Sequence, residues 1–344
     1  MAYWDDLITP AELTGFVREV PTPANYTLNQ FLPDVAVRDI EAVTRKLTKT
    51  NRAAKFRSYD AETPVGKRDK VDETRVALPP LGQKTVVGEE ERIRLEQARL
   101  GGDGSAAMVE AIYDDAAINT TSVQARMELA RGDVLLDGKV TITENGLVGL
   151  EADYGLSGTH VVAPGTLWST VATATVLSDL LSWRQTYIND AGEPPGVLLT
   201  SSAVVANMLR NADIRQLAGT IAGTPSIVTR EALNQVLAAH SLPAIVEYDT
   251  QIDVDGTTTR PLPADRVFLL PSNPMSLGYT AWGITAEALE FVGGDNPQIA
   301  FEEAPGLVGV VLKEGDPVRT WTKVTAVGLP IITDPSKLFV ADVQ

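Results

Sequence analysis

Over residues 105–131 apolar or small residues return every three or four positions, at Met108, Ile112, Ala116, Val123, Met127 and Ala130, with no Pro or Gly among them. That period places them on one face of a helix, and Gly132 stands where a stop signal belongs. Glu110, Asp114 and Asp115 fall in the N-terminal half and Arg126 and Arg131 towards the C-terminal end, the order that complements the helix dipole. At 1.5 Å per residue such a helix is about 40 Å long, a spine for the rest of the chain. Thr120, Thr121 and Ser122 at its centre are weak helix formers, so tertiary packing has to hold the middle together. A charged helical run over residues 89–100 precedes it and breaks at Gly101-Gly102-Asp103-Gly104.

Before the spine the pattern is thin. Residues 1–50 carry Pro10, Pro21, Pro23 and Pro33, short apolar clusters (Leu28, Phe31, Leu32) and one helical stretch over 39–47. Such a segment buries no core of its own and reads as an arm lying along something else. Residues 53–79 read as a hairpin, with polar strands over 55–59 and 71–78 and a tip holding Pro64, Gly66, Lys67, Arg68, Asp69 and Lys70. Two-stranded hairpins are marginal alone in water, so this one needs a partner from elsewhere.

After the spine, strands are expected over 134–142, 197–199, 244–248, 267–270, 329–333 and 338–343, with a long hairpin over 307–313 and 318–327. Helices are expected over 171–188, from a cap at Ser201 or Ser202 to Leu209, and from a cap at Thr229 to His240. Asp255-Gly256 marks a tight turn. Helices and strands are segregated rather than alternating, which is an α+β arrangement.

Charge sharpens this picture. The formal net charge is −16, and all of it is matched by residues 101–344, which hold 13 Lys or Arg against 29 Asp or Glu. Residues 38–57 run the other way, with Arg38, Arg45, Lys46, Lys49, Arg52, Lys55 and Arg57 against Asp39 and Glu41. This basic segment suits either a phosphate or an acidic neighbour, and the acidic body favours the second while disfavouring general nucleic-acid wrapping. With no Cys, disulfides, thiolate nucleophiles and Cys-based zinc sites are excluded. The N-terminal stretch lacks a basic segment followed by an apolar one, and no apolar run reaches membrane-spanning length; cytoplasmic synthesis without a membrane is expected.

Candidate chemistry is sparse. His160 and His240 are the two histidines, and neither falls in a Ser–His–acid order or a paired-His metal motif. Gly66-Lys67 lacks the preceding Gly of a phosphate loop and is followed by Arg68. Asp253, Asp255 and Gly256 resemble part of a calcium loop, but Leu262 stands where its bidentate Glu is needed, so the stretch reads as a turn. No catalytic residue, cofactor or metal set is expected. An arm, a hairpin and a spine without an active site point to self-assembly.

Three stretches carry a resemblance: Leu78-Pro79-Pro80 through Arg94; Asp114 through Thr143, including Leu136-Asp137-Gly138-Lys139-Val140-Thr141; and Asp316-Pro317-Val318-Arg319 through Asp334-Pro335-Ser336-Lys337-Leu338-Phe339-Val340. They resemble lambda-type major capsid proteins of tailed phages, the phage major capsid protein E family. The resemblance implies a Hong Kong 97-type fold: an N-terminal arm over 1–52, an extended loop over 53–80, a peripheral domain over 81–190 and 300–328, and an axial domain over 191–299 and 329–344. It implies a structural protein, not an enzyme, forming hexamers and pentamers of an icosahedral virion shell. That shell would enclose double-stranded DNA without sequence-specific binding, with scaffold, portal and decoration proteins as partners. Intersubunit contacts are then expected at Lys67, Arg68 and Lys70 on the loop and at Arg45, Lys46 and Lys49 on the arm. An encapsulin-type nanocompartment shell and an acidic cytoplasmic enzyme are the alternatives.

Overall fold

The computed structural model describes residues 8–48, 56–59, 62, 70–90, 93, 104–144, 150–219, 223–293, 304–315 and 318–344. The spine helix spans Gly104–Asp137, six residues past the expected end. Gly132 is not its stop. A Cβ there would lie 2.2 Å from the Pro261 carbonyl oxygen, so the glycine serves a close approach between helix and backbone. The stop is Gly138, at φ +70°, the left-handed conformation that favours glycine. Residues 134–137, expected in a strand, are therefore helical, and Val134 and Leu135 are buried in the core. The strand is Lys139–Ile142, paired antiparallel with Leu150–Asp153. At the weak centre, Thr120, Thr121 and Ser122 donate to the carbonyls of Ala116, Ala117 and Ile118 at 2.7, 3.0 and 3.0 Å.

A single strand, Val318–Ile332, crosses this helix where two were expected. Its first part lies between Val308–Gly315 and Pro80–Val87, and its last part pairs with Gly278–Trp282, which in turn pairs with Asp34–Ala36. Val324 and Ala326 face Ile112, Ala116, Val123 and Met127 of the spine. Asn119, buried in the helix, donates to the Thr322 carbonyl at 3.0 Å and to the Thr85 hydroxyl at 3.1 Å. Helix Ala286–Gly293 covers Val308 and Val310 on the opposite face.

A second sheet runs in the order Val161–Val162, Phe339–Asp342, Arg266–Leu270, Val197–Thr200, Ile245–Glu247. Its strands are apolar on both faces because both are covered. Val267, Leu269, Phe339 and Ala341 pack under helices, while Phe268, Leu270 and Val340 join the core shared with the spine. Ser201 and Thr229 cap helices Ser202–Arg210 and Arg230–Ala239 as expected. Helix Val176–Ala191 starts later than expected and packs on this second sheet, so the boundary drawn at residue 190 falls at the end of a helix belonging to that layer. Asp255 and Gly256, at φ 51° and 80°, make the tight turn between Ile252–Val254 and Thr257–Thr259.

The N-terminal segment finds what it lies along in its own subunit. Pro10–Glu19 is a helix, closed by a capping box between Thr9 and Glu12 with Pro at its first turn. Ile8, Leu13 and Val17 pack with Ile112, Val311 and Val324 of the same chain. The Thr14 hydroxyl is 3.3 Å from both the Gly309 carbonyl and its amide. The helix expected over 39–47 is instead strand Glu41–Thr48, paired with Lys70–Ala77. Its β-branched residues and a complementary strand thirty residues downstream outweigh the local helical spacing. The hairpin therefore begins at 41 rather than 53 and takes in the last residues of the expected arm. It does not use the strand expected over 55–59, whose described residues 56–59 lie in no strand.

The close approach at Gly132 makes a signed prediction. Alanine in a helix interior is ordinarily better than glycine by about 1 kcal/mol, but overpacking costs about 1–3 kcal/mol. Gly132→Ala lowers the melting temperature of the subunit; a rise would mean that helix and Pro261 are not in contact.

Candidate assembly surfaces

One buried polar network joins the arm, the spine and both sheets. Glu128 is fully buried and accepts hydrogen bonds from the Leu28 amide at 2.9 Å, the Tyr248 hydroxyl at 3.0 Å and Arg131 Nη1 at 3.3 Å. Arg131 also donates from Nε to the Thr280 hydroxyl at 2.9 Å and from Nη2 to Asp34. The Thr280 hydroxyl in turn donates to the Leu32 carbonyl at 2.8 Å, and Trp282 Nε1 donates to Asp34 at 2.8 Å. Burial and then the Glu128 charge push the Tyr26 and Tyr248 hydroxyls above their ordinary range. Arg131, read above as complementing the helix dipole, is instead the hub of this network. The i,i+3 pairing of Glu128 and Arg131 within an otherwise apolar face was the signal available in the sequence.

The network fixes residues 28–34 to their own subunit, which leaves the hairpin as the candidate extension. Ala42, Val76 and Leu78 bury its root in the core. Beyond the root its two strands form a two-stranded sheet. The register sets Arg45 opposite Glu73, Lys46 opposite Asp72 and Lys70 opposite Thr48. Lys49, Lys67 and Arg68 lie outside the described residues. The basic strand thus meets acidic register positions within its own hairpin, and Arg75 and Glu41 form an exposed ion pair at 3.9 Å.

Along the spine runs an open groove of about 1160 Å³, walled by Pro80–Gln83 on one side and by the turn at 253–255 on the other. Ile118 on its floor is 58% exposed. Its charged lining is Asp133, Glu144, Asp253 and Asp255 against Arg126, and Arg126 is already paired with Glu144 at 2.7 Å. Asp133 is exposed at the groove surface, and the protein around it raises its carboxyl above the usual range, with Asp137 adding to this and Arg126 opposing it. The groove is a net-acidic trough, with four carboxylates against the single guanidinium of Arg126.

The remaining candidates do not gather into a site. His160 is buried between the Leu338 carbonyl and the Asp190 carboxylate, 2.8 Å from each. His240 caps the helix Arg230–Ala239 in the second layer. Asp253 accepts the Gly256 amide at 2.7 Å, as a turn residue does. Among the described residues no cluster of three potential ligands is placed to hold a metal ion, and no helix is long and apolar enough to cross a membrane.

A spine helix crossed by a long-stranded sheet, a protruding hairpin and a second sheet under helices define a Hong Kong 97-type capsid fold. Structures similar to this chain include a prophage protein of E. coli CFT073 assigned as its capsid protein, at TM-score 0.64 and 16% identity, covering 98% of this chain and 99% of that one. A phage-related protein of Bordetella bronchiseptica RB50 matches at TM-score 0.53 and 11% identity, covering 99% and 98%. No curated protein sequence matches. The model of the family "Phage major capsid protein E" matches residues 9–343, and the chain belongs to that family. Its role is that of a structural phage capsid subunit; the nanocompartment alternative has weaker support.

Two outcomes follow from these charges. Glu128→Ala leaves Arg131 without its buried partner, a loss on the order of 3–5 kcal/mol, and exposes residues 28–34 to early proteolysis; unchanged protease resistance would mean that the network does not pin the arm. For Asp133 the folded pKa is raised, so its contribution is fully present below the unfolded pKa and lost as pH rises through the folded value. Asp133→Asn therefore raises the melting temperature at neutral pH, and the gain vanishes once the pH falls below the carboxylate range. A gain that persisted in acid would assign it to something other than charge.

Proposed function

We propose that this chain forms hexamers and pentamers that close into an icosahedral shell around a double-stranded DNA phage genome, with the hairpin as the clasp between subunits. The spine helix and the long-stranded sheet act as the peripheral domain, and the second sheet with its helices as the axial domain. The single observation that carries the clasp is a two-stranded hairpin, rooted in the core by Ala42, Val76 and Leu78, with no third strand in its sheet among the described residues. Isolated hairpins of this kind are marginal, and a neighbouring subunit supplies the missing layer.

Charge supports the same reading. The tip sequence carries Lys67, Arg68 and Lys70, and the spine groove carries Asp133, Asp253 and Asp255. Insertion of a neighbour's tip into the groove sets its Lys and Arg side chains beside the exposed Asp133. Arg45, Lys46 and Lys49 serve the hairpin and its subunit contacts more than the genome. A body with 29 acids against 13 bases from residue 101 onward encloses DNA without binding it tightly. Synthesis in the host cytoplasm, with scaffold, portal and decoration proteins joining during assembly, completes the proposal.

The test is removal of residues 61–70 with closure by Gly-Ser. The subunit keeps its fold and melting behaviour, because the core lies elsewhere, but negative-stain images contain no shells. Exposed ion pairs contribute only about 0.2–1 kcal/mol each, so the loss should come from the whole clasp and exceed that of any single Lys→Ala variant. Shells as abundant as the parent's would rule out the clasp, and an unfolded subunit would put the hairpin in the core.

A further inference from the structure

Between Asp153 and Asp179 the chain carries no Asp, Glu, Lys or Arg, in a protein of formal net charge −16. Burial does not account for this gap. Val161 and Leu167 are 52% and 43% exposed, and Ser157, Thr159, Ser169 and Thr173 are exposed with them. The surface continues onto helix Val176–Ala191, where Ser178, Leu181, Ser182, Gln185 and Asn189 are the exposed uncharged positions. The charges around it are tied down within the subunit. Asp179 accepts from Trp168 Nε1 at 3.0 Å, Arg184 donates to the Ser241 carbonyl at 3.0 Å, and Asp190 holds His160.

The strap that carries this surface is firmly seated. Trp168 is fully buried, stacks on Trp183 with ring centroids 5.5 Å apart, and donates its amide to the Val343 carbonyl at 2.8 Å. Among the described residues, strand Val161–Val162 is the outer strand of the second sheet, paired with Phe339–Asp342 alone.

We propose that this uncharged strap face is a contact surface for a second copy of the chain. The inference rests on the capsid reading and adds a contact separate from the hairpin. Two copies of a −16 chain repel wherever their acidic surfaces approach, and an uncharged face is where that repulsion is least. Depletion of charge is also the compositional mark of an interface core. A nucleic acid or a basic partner would instead select for carboxylates or cations here, and the face offers neither.

The absence of cysteine makes the test clean. Leu167→Cys and Leu181→Cys, made singly, are treated with a small maleimide as free subunits and as assembled shells. Both are labelled in the free subunit and lose that labelling in the shell. A variant that folds with the parent's melting temperature yet forms no shells, where the parent does, also supports the contact, since both side chains are exposed on the subunit. Full labelling of either position in shells overturns the proposal while leaving the capsid reading intact. If the parent itself forms no shells, the capsid reading fails and this inference with it.

Discussion

Everything else in this fold hangs on a charge placed where water cannot reach it. Glu128 lies on the spine helix with none of its surface exposed, and burying a carboxylate costs several kcal/mol unless it is paired and hydrogen-bonded. Here the donors come from the arm at Leu28, the spine at Arg131 and the second layer at Tyr248. Asp34 and Thr280 then satisfy the rest of the guanidinium. Removing any one element leaves a buried charge short of partners, so arm, spine and both sheets are constrained to one mutual arrangement. Apolar packing alone tolerates sliding, whereas a donor set drawn from separate elements does not.

Much of this was legible in the residues. The 3.6-residue period over 105–131 marked the spine, and Ser201, Thr229 and Asp255-Gly256 marked caps and a turn, because those signals act within a few residues of themselves. Non-local contacts were harder to read. Gly132 looked like a stop because glycine usually is one, and only the proximity of Pro261 explains it. Residues 39–47 looked helical until a strand thirty residues later claimed them. The helix Pro10–Glu19 was missed even though Thr9-Pro10-Ala11-Glu12 holds both a capping-box pair and a first-turn Pro. The groove was invisible for another reason: its carboxylates come from residues 133, 144, 253 and 255, brought together only by the fold.

The division of labour in the subunit follows from these contacts. Residues 8–36 spend their apolar side chains on their own chain, so they are part of the body rather than a free tether. Among the described residues the hairpin meets the core at its root, and the basic residues of the chain are concentrated on and around it. An acidic body with one basic projection repels itself in most orientations and attracts itself in few. For a protein that must build a closed shell from identical copies, that asymmetry restricts assembly to the contacts that lead to closure.

A reconstruction of the assembled shell, at a resolution that traces the chain, addresses the central claim most directly. The account predicts that the helix Pro10–Glu19 stays on its own subunit while the hairpin tip occupies the acidic spine groove of the adjacent one. A hairpin folded back onto its own chain, or the helix seated on a neighbour, would contradict it.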